Sequence, residues 1–138
     1  MFKQETLTIE TSGRGVYDLS QRVQEIVAAS DISIGMCHLL IRHTSASLMI
    51  TENADPAVLR DLESFMSRQV QDEDPIFTHT QEGPDDMSAH VRSVLTQSDL
   101  NLPITDGSCA LGTWQGIFMW EHRHAPHTRS VVITLHGE

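Results

Sequence analysis

Over residues 2–11 polar positions alternate with Leu7 and Ile9, the period-two pattern of a strand with one buried face. After a Gly13-Arg14-Gly15 turn, Leu19, Val23, Ile26 and Val27 recur at i, i+4, i+7 and i+8, which predicts a helix ending near Ala29. Gly35 opens a β-rich run over 36–43, with Cys37, Leu39 and Ile41 on one side and His43 in phase with them, and 47–52 reads as the next strand. In Asp55-Pro56 an N-cap acid precedes a proline at the first helical position, and Val58, Leu62, Phe65 and Met66 carry an amphipathic helix to about Val70. A loop spans 71–86. Residues 87–97 predict a third, short helix, and 100–104, 108–113, 117–123 and 129–136 read as strands divided by Gly107, Gln115-Gly116 and Pro126.

The helices fall in the first two thirds and the last third is nearly all strand. That order predicts an α+β fold with a mostly antiparallel, β-sandwich-like body and helices on one side; a doubly wound sheet would need regular alternation. At 138 residues the chain fits a single domain, 1–138, and 39% apolar residues suffice for its core. Cys37 and Cys109 each sit in an apolar segment and form no C-x-x-C pair, which fits buried thiols in a reducing compartment. No apolar run approaches the ~20 residues of a membrane span and the first residues lack a signal-peptide core, so a cytoplasmic protein without membrane association is expected.

Charge narrows the partners. The net charge is −10, with Lys+Arg 9 against Asp+Glu 19, which argues against binding nucleic acid or anionic lipid. Residues 52–86 concentrate the acids: Glu52, Asp55, Asp61, Glu63, Asp72, Glu73, Asp74, Glu82, Asp85 and Asp86, against only Arg60 and Arg68. Asp61, Glu63 and residues 72–74 read as solvated surface, whereas Glu52, Asp55, Glu82, Asp85 and Asp86 lie beside histidine, asparagine or glycine at element ends.

Of eight histidines, His43, His79, His90 and His122 stand beside a carboxylate, a hydroxyl or a glycine. Imidazole is a general acid/base near neutral pH and the commonest metal ligand, and a neighbouring carboxylate orients its second nitrogen. The stretch from His79 to His90 holds two histidines with Glu82, Asp85 and Asp86, but no H-E-x-x-H or Cys/His ladder; its plain alternative is a helix start capped by Asp86. Nitrogen and carboxylate donors together suit zinc or another first-row divalent ion. His43-Thr44-Ser45-Ala46-Ser47 forms a hydroxyl-rich turn able to hold an anion, without the glycines of a nucleophile elbow. On a strand, Glu121 and Arg123 share one face and His122 takes the other with Phe118 and Trp120; the pair reads either as an internal ion pair or as an anion-reading arginine.

Taken together, His43-Thr-Ser-Ala-Ser47, Glu52-Asn53-x-Asp55-Pro56, His79-x-x-Glu82-Gly83-x-Asp85, Ala89-His90, Leu111-Gly112-Thr113-Trp114-Gln115-Gly116, Glu121-His122-Arg123 and the terminal Gly137-Glu138 resemble the YjbQ family, UPF0047, over essentially the whole chain. Asp86 and Ser88 stand where that pattern has Asn and Pro. The resemblance implies an α+β fold, a homotrimer with a polar cleft near subunit contacts, a divalent metal on the histidines, and a weak or backup thiamine-phosphate synthase activity. That reaction joins a hydroxymethylpyrimidine diphosphate to a thiazole phosphate and releases pyrophosphate, so a small phosphorylated metabolite, with Mg²⁺ to screen it, is the implied partner.

The site expected on these grounds places the metal on His79, His90 and His122. Catalytic roles fall to His43, Glu52, Asn53, Asp55, Glu82 and Glu121, and anion binding to Thr44, Ser45, Thr113, Gln115 and Arg123. Two alternatives stand beside it: a trimeric module that holds a metal or metabolite without turnover, and a metal-assisted hydrolase. The acidic balance opposes two phosphorylated substrates unless a cation screens them.

Overall fold

The computed structural model describes residues 1–138. Eleven elements follow in chain order: β1 (Phe2–Glu10), β2 (Gly15–Asp18), α1 (Ser20–Ala29), β3 (Gly35–Ile41), β4 (Ala46–Glu52), α2 (Pro56–Gln69), α3 (Asp86–Leu95), β5 (Asp99–Thr105), β6 (Ser108–Cys109), β7 (Gln115–Glu121) and β8 (Thr128–Gly137). The strands form a five-stranded sheet, β1-β8-β3-β5-β6, and a three-stranded sheet, β2-β7-β4, antiparallel throughout.

One cluster of buried side chains joins the two sheets. Leu39, Ile133 and Leu135 from the first meet Leu48, Ile117 and Met119 from the second, and α1 adds Val23 and Val27. Each of these is 1% exposed or less, and losing one such side chain to alanine costs about 2–5 kcal/mol. Both faces of β7 are covered: Ile117 and Met119 face the shared core, while Phe118 and Trp120 lie on the opposite face, where the Trp120 indole N–H donates to Glu63 of α2. Thus α2 and α3 overlie the three-stranded sheet, and α1 ties to β7 and β6 through Ser20 and Gln24.

Two elements differ from expectation. β2 is a strand where the sequence suggests only a turn, because four residues with one aromatic carry too little periodicity to register. β6 is two residues long rather than six, since the chain leaves β5 after Cys109 to turn into β7. α2 begins as expected, with the Asp55 carboxylate accepting from the Ala57 N–H at 2.9 Å and Pro56 at the first helical position.

Candidate metal centre

α3 opens at Asp86, which brings Asp86 and His90 onto one face, four residues apart, while the preceding loop carries His79 back over them. Nε2 of His79 lies 2.8 Å, and Nε2 of His90 3.0 Å, from the same oxygen, Oδ2 of Asp86. One donor atom from each residue falls within 4.8 Å of the others, a spacing that could hold a metal ion. The Asp86 side chain is 8% exposed and His79 is 49% exposed, so the acid forms the floor and the imidazoles form an open rim.

The surroundings orient each group. Nδ1 of His90 lies 3.0 Å from the Thr44 carbonyl, an acceptor only, so that nitrogen carries the proton and Nε2 is left to the cluster. Oδ1 of Asp86 accepts from Nη1 of Arg123 at 2.8 Å, which fixes the carboxylate with Oδ2 toward the histidines. Burial pushes the Asp86 carboxyl up, but the His79 bond and the charges of His90 and Arg123 outweigh it and hold it below the usual carboxylate range. Gly83, at φ +110°, turns the loop so that the Glu82 carbonyl accepts from Nη2 of Arg123 at 3.2 Å. Behind the loop, Asp72 binds Arg14 through both oxygens, takes the Ser88 hydroxyl of α3 and meets Nε2 of His124 at 3.0 Å.

Several expected roles are corrected by this geometry. His122 does not join His79 and His90: it is fully buried, its Nδ1 accepts from Nε of Arg92 at 2.9 Å, and its Nε2 lies 2.8 Å from the Ser47 hydroxyl. Asp86, for which a helix cap was the plain alternative, lies beside the two histidines, and Asp85 occupies the N-cap position. Arg123 is no free anion receptor, since its guanidinium is committed to Asp85, Asp86 and the Glu82 carbonyl. Ser45 and Glu121 are buried in a network with Arg129 and Thr11 that links β7 to β8, so their polar atoms are committed inside the fold. His43 accepts the Ser130 N–H on Nε2, so its proton sits on Nδ1 and its one basic nitrogen is already occupied. Burial and then the Arg129 charge lower its pKa.

Glu52, Asn53, Asp55, Thr113 and Gln115 gather elsewhere. Asn53 donates to the Thr113 and Gln115 carbonyls, Glu52 accepts from the backbone of Ala54 and Asp55, and Gln115 accepts from Gly112. These bonds tie the ends of β4 and β7 together. The β4–β7 ladder runs from Ala46 opposite Glu121 to Glu52 opposite Gln115, a length of roughly 20 Å that separates this group from the histidines. Glu82 and Thr44 do belong to the histidine end, Thr44 through its carbonyl rather than its hydroxyl.

A family profile described as UPF0047 protein YjbQ-like matches residues 5–138. The chain belongs to the YjbQ-like UPF0047 family. Among its relatives, a UPF0047 protein of Synechocystis sp. is 46% identical over 135 residues, covering 98% of this chain and 92% of that one. The UPF0047 protein YjbQ of Escherichia coli O157:H7 is 40% identical over the full length of both chains. A crystal structure from Clostridium acetobutylicum, of the same family and 31% identical, superposes with a TM-score of 0.87 over 96% of this chain and 99% of that one. A hypothetical protein of Aeropyrum pernix, 25% identical, gives 0.90 over 99% of each chain. The two solved structures share the fold of this chain over nearly its whole length.

Proposed function

We infer that this UPF0047 chain is a small metal-dependent enzyme whose His79, Asp86 and His90 hold a zinc or other first-row divalent ion, with reaction at the remaining open positions. The observation that carries the reading is the convergence of one donor atom from each of His79, Asp86 and His90 within 4.8 Å. The Thr44 carbonyl holds Nδ1 of His90 as a donor, so Nε2 of His90 and Nε2 of His79 both face Oδ2 of Asp86, at 3.0 Å and 2.8 Å, three donor atoms that a divalent ion could take in place of the protons they now share. When bound, such an ion supplies a Lewis-acidic position that acidifies a water or polarises a substrate oxygen. The chain's own residues do the rest: Arg123 holds Asp86 in place, Thr44 holds His90, and Glu82, exposed on the same loop, is available to take a proton.

A metal-assisted hydrolysis suits this arrangement best. Transfer between two phosphorylated substrates, the narrower activity implied by the resemblance, would depend on the ion's charge alone, because Arg123 is already neutralised by its acids. A homotrimer is the assembly proposed with it, supported by apolar side chains left open on the uncovered face of the five-stranded sheet, Phe2, Met36 and Leu40. Light scattering tests the assembly by its mass in solution.

Plasma mass spectrometry on untagged protein, with turnover assays on ester and amide substrates, tests the reading. One equivalent of a divalent metal per chain is expected, lost together with turnover in His79→Ala and His90→Ala while the circular dichroism spectrum is kept. No metal after incubation with zinc, manganese or nickel overturns the ligand set. Metal binding without turnover on any substrate class favours a binding module.

A further inference from the structure

We propose that the cavity beside His79 receives a small organic cation, an ammonium or amidinium on a flat apolar body, rather than a phosphorylated compound. This rests on the reading of the His79 loop as the functional cleft and adds the charge of what enters it. Residues between 73 and 87 line a half-open cavity of about 530 Å³, within the range of small-molecule sites. His79 is common to this cavity and to the metal-ligating trio, and Glu73, Asp74, Phe77, Pro84 and Met87 are also in its wall.

Neither lysine nor arginine lines the cavity. Glu73 is exposed, and Asp74 uses only Oδ1, to accept the Ile76 N–H at 3.0 Å. The guanidiniums nearest the loop are already occupied: Arg123 by Asp85, Asp86 and the Glu82 carbonyl, and Arg14 by Asp72 and the His122 carbonyl. An entering phosphate would therefore meet carboxylates with no lysine or arginine in the wall to compensate. A divalent ion on the trio does not reverse the balance. Glu73, Asp74, Glu82, Asp85 and Asp86 bring five negative charges to this segment, against two from the ion and one from Arg123. Phe77 puts an aromatic ring in the wall, a group that attracts cations, and Pro84 and Met87 add apolar surface for the body.

The test uses three probes with one body and different charge, benzylammonium, benzyl alcohol and benzyl phosphate, titrated into the isotope-labelled full chain, metal-free and zinc-loaded, by nuclear magnetic resonance. Benzylammonium is expected to bind in the range of about 1–10 mM, with saturable shifts at Phe77 and Met87, as befits a fragment of this size. Its affinity should exceed that of benzyl phosphate by about tenfold in both forms. The Glu73→Gln/Asp74→Asn variant should weaken benzylammonium roughly fivefold, two screened charge contacts' worth, and leave benzyl alcohol unchanged. Benzyl phosphate binding as well as or better than benzylammonium in either form overturns the proposal, and so does the absence of a saturable benzylammonium shift at Phe77. Metal content of the same samples keeps the two claims apart. Zinc uptake with a preference for phosphate rejects the cation alone; a preference for ammonium without zinc uptake rejects the metal centre alone.

Discussion

Nδ1 of His90 and the carbonyl oxygen of Thr44 lie 3.0 Å apart, so a turn between two strands sets the protonation pattern of a helix residue one turn into α3. Because the acceptor is backbone, Thr44→Ala keeps it. Metal affinity in that variant is expected to stay within about twofold of the parent, the scatter of an exposed substitution. An anion-binding hydroxyl at Thr44 would instead make the same variant lose affinity for phosphate probes, which titration calorimetry would register.

Ser47 and His122 have the spacing of a nucleophile and its base, at 2.8 Å, but the direction of the proton is wrong. Nδ1 of His122 accepts from Arg92, so Nε2 carries the hydrogen and donates to Ser47. Ser47→Ala is therefore expected to lower stability by about 1 kcal/mol, the worth of one buried hydrogen bond, without changing turnover. Urea unfolding and an activity assay on the same preparation measure both.

How far this was legible in the sequence depended on the element. The β1, α1, β3, α2 and β8 periodicities were plain, because each has one polar and one apolar side. β7 has both faces covered, and nothing in Ile117-Phe118-Met119-Trp120 reveals that its histidine would be sealed under two helices. The grouping of His79, Asp86 and His90 in one segment could be read, and the four-residue step from Asp86 to His90 on a helix could have singled out the acid as their companion. His122 lies apart from the cluster because which strand face a helix covers is a tertiary fact. Arg92 was invisible for the same reason: a fully buried guanidinium needs Glu63 and His122 from distant segments, and local sequence carries neither.

Burial, and then the charges of Arg92, Arg14 and Arg129, push His122 down to about 2 from an ordinary 6.5. The folded state keeps the ring neutral where the unfolded chain protonates it, so this contribution is complete above pH 6.5 and is lost as pH falls below it toward 2. The expected slope is up to ~1.4 kcal/mol per pH unit from this one group. Urea midpoints between about pH 7 and 5 should fall less steeply in His122→Gln than in the parent. Parallel slopes would mean that His122 is protonated in the fold.

Asp72 behaves as a carboxylate clamp. Burial raises its pKa, but the bonds from Arg14, Ser88 and His124 outweigh burial and bring it to about 2 from 3.8. Its contribution is present above pH 3.8 and is lost as pH falls through that range toward 2. Asp72→Asn is expected to cost about 1–3 kcal/mol near neutral pH, where Arg14 is left with a weaker partner, and to speed amide exchange in the loop of residues 71–86. A variant with parent stability and unchanged exchange would remove Asp72 from the support of the metal centre.

Asp86, His79 and His90 are proposed to act together on one divalent ion. Zinc titration calorimetry of the parent and of Asp86→Asn, both confirmed folded by circular dichroism, tests this most directly. One site per chain is expected in the parent, weakened at least about tenfold, or ~1.4 kcal/mol, by Asp86→Asn. Zinc binding of equal affinity in the two proteins, or no binding heat in the parent, would contradict it.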